Sequence, residues 1–203
     1  VLTAQNAFSP GGPEYPIFGA LPGEQTAPDA AINAAGGWVV WQDNATDTNG
    51  LGVSAWRIDT GFRRTGSKVR VNVTTVGDQE KPQVALLTNG TAVFVWQGGK
   101  LGFQKIYTRF LTSAGAFLTT NDVLVNTTYT NQFQIAPAVA ALTGGGAVIA
   151  WSSFGQDGSL QGVFARRYNA NGTTNGGVFQ VNQFSVNNQR SPAVAALPNG
   201  GFV

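Results

Sequence analysis

No cysteine, methionine or histidine occurs among the 203 residues, and only 11% of them are charged. Without Cys there is no disulfide framework, no thiolate nucleophile and no Cys-type zinc site. Without His, the Ser-His-Asp and Cys-His triads are excluded, as are zinc sites that use imidazole. Twelve basic and ten acidic groups leave a net charge of +2, too small to predict nucleic-acid or anionic-lipid partners. No apolar run approaches the roughly 20 residues a spanning helix needs, so membrane insertion is not expected. The chain also lacks a Walker loop and a dinucleotide fingerprint, because its glycines fall in turns with no helix following.

What the sequence does have is a repeat. Pro28, Pro82, Pro137 and Pro192 are spaced by 54, 55 and 55 residues, and Gln25, Gln79, Gln134 and Gln189 each lie three positions before them. Each Pro opens a similar run: PDAAINAAGGWVVW, PQVALLTNGTAVFVW, PAVAALTGGGAVIAW and PAVAALPNGGFV. Trp41, Trp96 and Trp151 close the first three, and Val71-Asn72, Val125-Asn126 and Val181-Asn182 recur before the next Pro. Agreement in several registers over three periods identifies repeats of one supersecondary unit.

The units run 28–81, 82–136 and 137–191, with 192–203 starting another. Alignment on Gln25 places the last strand of a preceding unit in residues 14–27, after a lead-in at 1–13. Each unit offers four strands rich in Val, Ile, Phe, Tyr and Trp, separated by Gly, Asn and Asp. The second strand (GGWVVW, TAVFVW, GAVIAW) is apolar throughout, so both of its faces should be buried. The fourth alternates and should be outermost. Four antiparallel strands of this pattern predict an all-β, β-propeller-like domain of stacked blades; a β-trefoil is the alternative. Three blades and two fragments do not close a ring, so further blades or a further chain are expected to complete it.

Several residues invite a chemical reading. Trp38 and Trp56 do not recur between repeats and are candidate ligand contacts, with Asp157 in FGQDGS as a third. Asp43, Asp47 and Asn49, in WQDNATDTNG, form an oxygen-rich loop of the kind that can hold Ca²⁺. Asp and Asn also favour turns by bonding their own backbone, which is the competing reading. The recurring Gln is expected to satisfy backbone groups at the blade junctions. Arg57, Arg109 and Arg167 read as equivalent third-strand positions, expected to be solvated or to bridge blades. No carboxylate pair stands out for acid-base work; Asp78 and Glu80 flank a junction Gln.

The runs PAVAALPNGGFV and AWSSFGQDGSLQGVFARRYNANGTTNGGVFQVN, with the Gln-x-x-Pro junction, resemble repeats of large secreted bacterial surface proteins. Those proteins often carry RTX haemolysin-type calcium tracts, although no GGxGxD nonapeptide occurs here. The resemblance implies an extracellular or cell-surface, propeller-like module and brings no catalytic residue with it. On this reading the chain is a non-enzymatic structural or adhesion scaffold for a protein or surface partner. A carbohydrate-binding propeller lectin is the alternative, with glycan as its ligand.

Overall fold

The computed structural model describes residues 17–203. Three antiparallel four-stranded sheets follow one another along the chain, each a simple meander. Blade 1 holds β1 (Gln25–Asn33), β2 (Gly36–Asp43), β3 (Gly52–Ile58) and β4 (Arg64–Arg70). Blade 2 holds β5 (Asp78–Leu86), β6 (Ala92–Gly99), β7 (Lys105–Leu111) and β8 (Val123–Leu124). Blade 3 holds β9 (Gln134–Ala141), β10 (Ala147–Phe154), β11 (Gln161–Tyr168) and β12 (Phe179–Gln180). After it, Ala195 and Val203 exchange backbone hydrogen bonds in the hairpin that opens the fourth repeat. The propeller-like architecture expected from the repeat is the one observed. No helix long and apolar enough to cross a membrane occurs among the described residues.

Alternation within the second strands explains their apolar sequence. Phe94 and Trp96 of β6 face blade 1, packing with Trp38, Val40, Val53 and Val71. Val93 and Val95 face blade 3, packing with Ile149, Trp151, Phe164 and Tyr168. Successive side chains of a strand point to opposite faces, so one strand serves two interfaces. Trp96 and Trp151 are fully buried and Trp41 nearly so. Truncating such a residue to Ala costs about 3–5 kcal/mol.

Every inner strand begins with the same irregularity. Ala27, Lys81, Ala136 and Ser191, each just before the repeat Pro, have φ of 48°, 51°, 54° and 57°. The ladder of the first three slips there: between Thr26 and Asp29, Glu80 and Gln83, and Ala150 and Ser152. A bulge re-aims the backbone, and here it turns one N–H out of its own sheet. Lys81 N donates to Gln42 Oε1 (2.7 Å), Ala136 N to Gln97 Oε1 (2.9 Å) and Ser191 N to Ser152 Oγ (3.0 Å). Each acceptor follows the repeat Trp in the preceding blade. The junction Gln acts elsewhere, bracing the connection between blades. Gln79 Nε2 donates to Val76 O and Gly77 O, and Gln134 Nε2 donates to Tyr129 O and Gln132 O.

Three sequence expectations are corrected. Trp38 is not a free surface residue: only 9% of it is exposed, and it meets Phe94 edge-on at 5.8 Å in the core between blades 1 and 2. Strand pairing aligns Arg57 with Arg167, as expected, but places Phe110 at that position in blade 2 and aligns Arg109 with Trp56 and Arg166, so Arg109 is one residue out of the expected register. Residues 17–24 run as turns and irregular chain, not as the end of a strand, and β1 begins at Gln25. The rest of that strand assignment, 14–16, and the lead-in at 1–13 lie outside the described residues.

Gly98 and Ser153 give a test of the blade interior. Trp96 Nε1 donates to Gln79 Oε1 at 3.0 Å, and a Cβ on Gly98 would collide with that oxygen. In blade 3 the same position is Ser153, paired across from Gln134, and its buried Oγ has no partner among the described residues. Gly98→Ala is expected to break the Trp96–Gln79 bond and cost about 2 kcal/mol. Ser153→Ala, which removes an unpaired buried hydroxyl, should be neutral or stabilising. Urea denaturation of both variants checks the contrast.

Candidate functional site

The loops joining second and third strands gather at the end of the molecule where the inner strands begin. In blade 1, Asp47 Oδ2 accepts from Asn72 Nδ2 (2.9 Å) and Arg70 Nη2 (3.2 Å), while Oδ1 accepts from Asn49 N (3.1 Å). Asn72 Oδ1 in turn accepts from Val53 N at 2.8 Å. Blade 3 repeats this clasp: Asn182 Nδ2 donates to Asp157 Oδ2 (3.0 Å), and Val163 N donates to Asn182 Oδ1 (2.8 Å). The Asn of the Val-Asn register therefore pins the loop carboxylate to the end of the blade.

That geometry reassigns the expected ligand and metal residues. Asp43 Oδ1 accepts from Ala45 N and Thr46 N, and Oδ2 from Trp41 Nε1 and Thr46 Oγ1. Asp43 and Asp47 thus commit their oxygens to their own blade end, while Asn49 is exposed and contributes its backbone N–H to Asp47. Lys68 reinforces the loop through Thr46 Oγ1. Asp157 holds its loop in the same way. Trp56 is partly buried, stacked on Phe18 at 5.6 Å, with Arg64 over its ring and its Nε1 bonded to Gly66 O. Among the described residues, no group of three or more His, Cys, Asp or Glu could hold a metal ion.

The aligned arginines do not converge. Arg109 Nη1 donates to Val71 O (2.8 Å) and Arg166 Nη1 to Val125 O (3.0 Å), each reaching the fourth-strand end of the preceding blade. Burial lowers the Arg109 pKa, which nearby Asp122 partly opposes. These side chains clamp blades together.

Blade 2 breaks the pattern, and a cavity opens there. Its loop is only residues 100–104, with no Asp, and Asn126 Nδ2 is left buried without a partner among the described residues. Beside this loop lies a cavity of about 370 Å³ between blades 2 and 3, lined by Glu80, Lys81, Gln97, Leu101, Phe133 and Ile135, among others. Glu80 is half-buried on β5, whose neighbours β1 and β9 are the other inner strands. Gln97 orients it: Nε2 donates to Glu80 Oε2 (3.1 Å) while Oε1 accepts from Ala136 N. Glu80 Oε1 receives no hydrogen bond from the described residues. Sequence reasoning passed over Glu80 as part of a junction. The available signal was that its repeat position holds Thr26, Ile135 and Arg190 elsewhere.

No family model matches the chain, and no curated protein matches it. Solved structures do. The α-L-arabinanase of Penicillium chrysogenum, complexed with arabinobiose, is 16% identical with a TM-score of 0.54, over 86% of this chain and 50% of its own. The endo-arabinase of Bacteroides thetaiotaomicron is 15% identical with a TM-score of 0.51, over 79% of this chain and 64% of its own. The GH43_1 enzyme of Xanthomonas citri, complexed with xylose, is 14% identical with a TM-score of 0.50, over 79% and 56%. These are five-bladed β-propellers, and at such identities the likeness establishes the fold. The chain spans about half the length of the first solved structures it matches.

The likeness overturns the non-enzymatic scaffold and adhesion reading. That reading rested on the resemblance to surface-protein repeats and on finding no carboxylate pair, yet these neighbours of the same fold are glycoside hydrolases. Glycoside hydrolysis runs on paired carboxylates and needs neither imidazole nor thiol.

The acidic loop yields a pH-dependent test. Burial raises the Asp43 pKa, but hydrogen bonds from Ser54, Thr46 and Ala45 and the charge of Lys68 outweigh it and hold the carboxyl below its ordinary value. A depressed carboxyl contributes stability fully above its unfolded value and loses it as pH falls through the folded value. Asp43→Asn should therefore flatten the stability profile below about pH 4. Asp47→Ala should cost about 2 kcal/mol at neutral pH by removing the acceptor of Arg70 and of one Asn72 amide hydrogen, the other staying on Thr74 O. Melts across the acid range up to neutral pH measure both.

Proposed function

We propose that this chain supplies blades to a carbohydrate-processing propeller that hydrolyses glycosidic bonds in extracellular glycans, with Glu80 as one of its working carboxylates. The carrying observation is Glu80 itself: a half-buried carboxylate on an inner strand, oriented by Gln97, at the wall of a cavity of about 370 Å³. Pockets of roughly 300–1,000 Å³ suit small ligands such as one or two sugar units. Gln97 takes one carboxylate oxygen and leaves the other for a leaving-group oxygen, an anomeric carbon or a water. Such chemistry needs a second carboxylate. In this reading it comes from blades that complete the ring. An extracellular setting fits the resemblance of the repeats to bacterial surface proteins, and glycans are abundant there.

Reducing-end release from a panel of plant and microbial oligosaccharides tests the reading on the full-length protein. Glu80→Gln preserves shape and the Gln97 contact but removes the charge and the titratable proton. It should lower turnover by about 100-fold or more while retaining oligosaccharide binding. Turnover unchanged in Glu80→Gln, or binding without turnover in the parent protein, would overturn the proposal.

A further inference from the structure

The loop beside Glu80 carries the most exposed large apolar side chain among the described residues: Leu101 is 85% exposed, and Phe103, two positions on, is 61% exposed. Isolated exposed apolar residues are ordinary, but two on one short loop beside a cavity mark a contact surface. Leu101 lines the cavity that holds Glu80, with Phe133 and Ile135 also on its lining, and Phe103 stands just outside it, between the lining residues Gly102 and Gln104. Phe133 is itself fixed by stacking on Phe154 at 4.9 Å.

The loop is built to hold its tip in place. Phe103 N donates to Lys100 O at 2.9 Å, and Gly102 N donates to Gln104 Oε1 at 2.8 Å. Gly102 takes φ of +81°, a conformation that suits glycine. Gln104 is buried, and its carbonyl accepts from Gln134 N of blade 3, so the base of the loop is anchored across the junction. The corresponding loops of blades 1 and 3 fold back on a clasped Asp. Blade 2 has exchanged that clasp for a short turn with two apolar side chains held out.

We propose that Leu101 and Phe103 form an apolar platform for the sugar unit next to the one that meets Glu80, making this a site for oligosaccharides of at least two units. This rests on the glycan-processing reading. The apolar C–H face of a sugar ring packs on such a surface while its hydroxyls remain free for water and for Lys81. A pre-formed rim gains affinity by avoiding the cost of ordering side chains on binding.

Phe103→Ala, Leu101→Ala, Phe103→Tyr and the double Ala variant of the full-length protein test the platform. Phe103→Ala should raise KM for tri- and tetrasaccharides about fivefold to tenfold, leave kcat within about twofold and leave KM for a short aryl glycoside unchanged. Leu101→Ala should shift KM in the same direction. Phe103→Tyr should restore KM, and melting temperatures should match the parent because both side chains are exposed. The same loss of affinity should appear when Phe103→Ala is combined with Glu80→Gln and oligosaccharide binding is titrated directly. Binding unaffected by the double Ala variant overturns the platform while leaving the hydrolytic reading intact. Failure of the parent protein to bind any oligosaccharide overturns both.

Discussion

A backbone N–H, turned out of the inner strand by a bulge, ties blades 2 and 3 and the hairpin after them to the preceding blade, two positions past the junction Gln whose own N–H bonds to that blade as well. The residue carrying it sits at φ near 50° immediately before a proline. A non-glycine residue there costs on the order of 1 kcal/mol or more, and it persists only when its surroundings hold it. The bond to Gln42, Gln97 or Ser152 of the preceding blade holds it. Proline stiffens the strand just past the bulge, and the junction Gln braces the chain just before it. The arginine clamps and paired apolar faces then meet in register because this junction sets how far each blade turns from its neighbour.

Repeating that junction in every unit leaves the rest of the blade end to vary. Blades 1 and 3 close the loop with an Asp–Asn clasp. Blade 2 drops the Asp, shortens the loop and leaves the Asn126 amide unpaired among the described residues. The junction acceptor of blade 2, Gln97, simultaneously orients Glu80. Structural bond and candidate catalytic contact therefore share one amide, so a change in the packing of blades 2 and 3 would be felt at the carboxylate. Buried polar groups placed like this are costly when unpaired and well ordered when paired.

Much of the fold was legible because it is periodic. Pro, Gln and Trp recur at near-constant spacing, and the unbroken apolar second strands announce burial on two faces. Arg109 alone was misaligned among the third-strand arginines, because the blade 2 hairpin turns back two residues sooner after its Trp than those of blades 1 and 3. Trp38 looked free because its partner, Phe94, belongs to the next blade and no local pattern reveals it. Asp47 and Asp157 read as ligands because an oxygen-rich loop looks alike whether its oxygens meet a cation or Asn72 and Asn182. Glu80 was the reverse case: an ordinary residue in sequence, given significance by the cavity that the short loop opens. The scaffold reading failed because it followed the resemblance of the repeats and looked for carboxylates paired in the sequence, where Glu80 stands only as a junction residue.

Amide hydrogen exchange tests the junction directly. The backbone N–H groups of Lys81, Ala136 and Ser191 each have a side-chain acceptor in the preceding blade, which Gln42→Ala, Gln97→Ala or Ser152→Ala removes. Residue-resolved exchange followed by NMR should show each amide protected at least about tenfold more strongly in the parent than in the variant lacking its acceptor, although Lys81 and Ser191 are exposed at the surface. Protection unchanged when the acceptor is removed would contradict the account, because the bulge N–H groups would then not be held by the preceding blade.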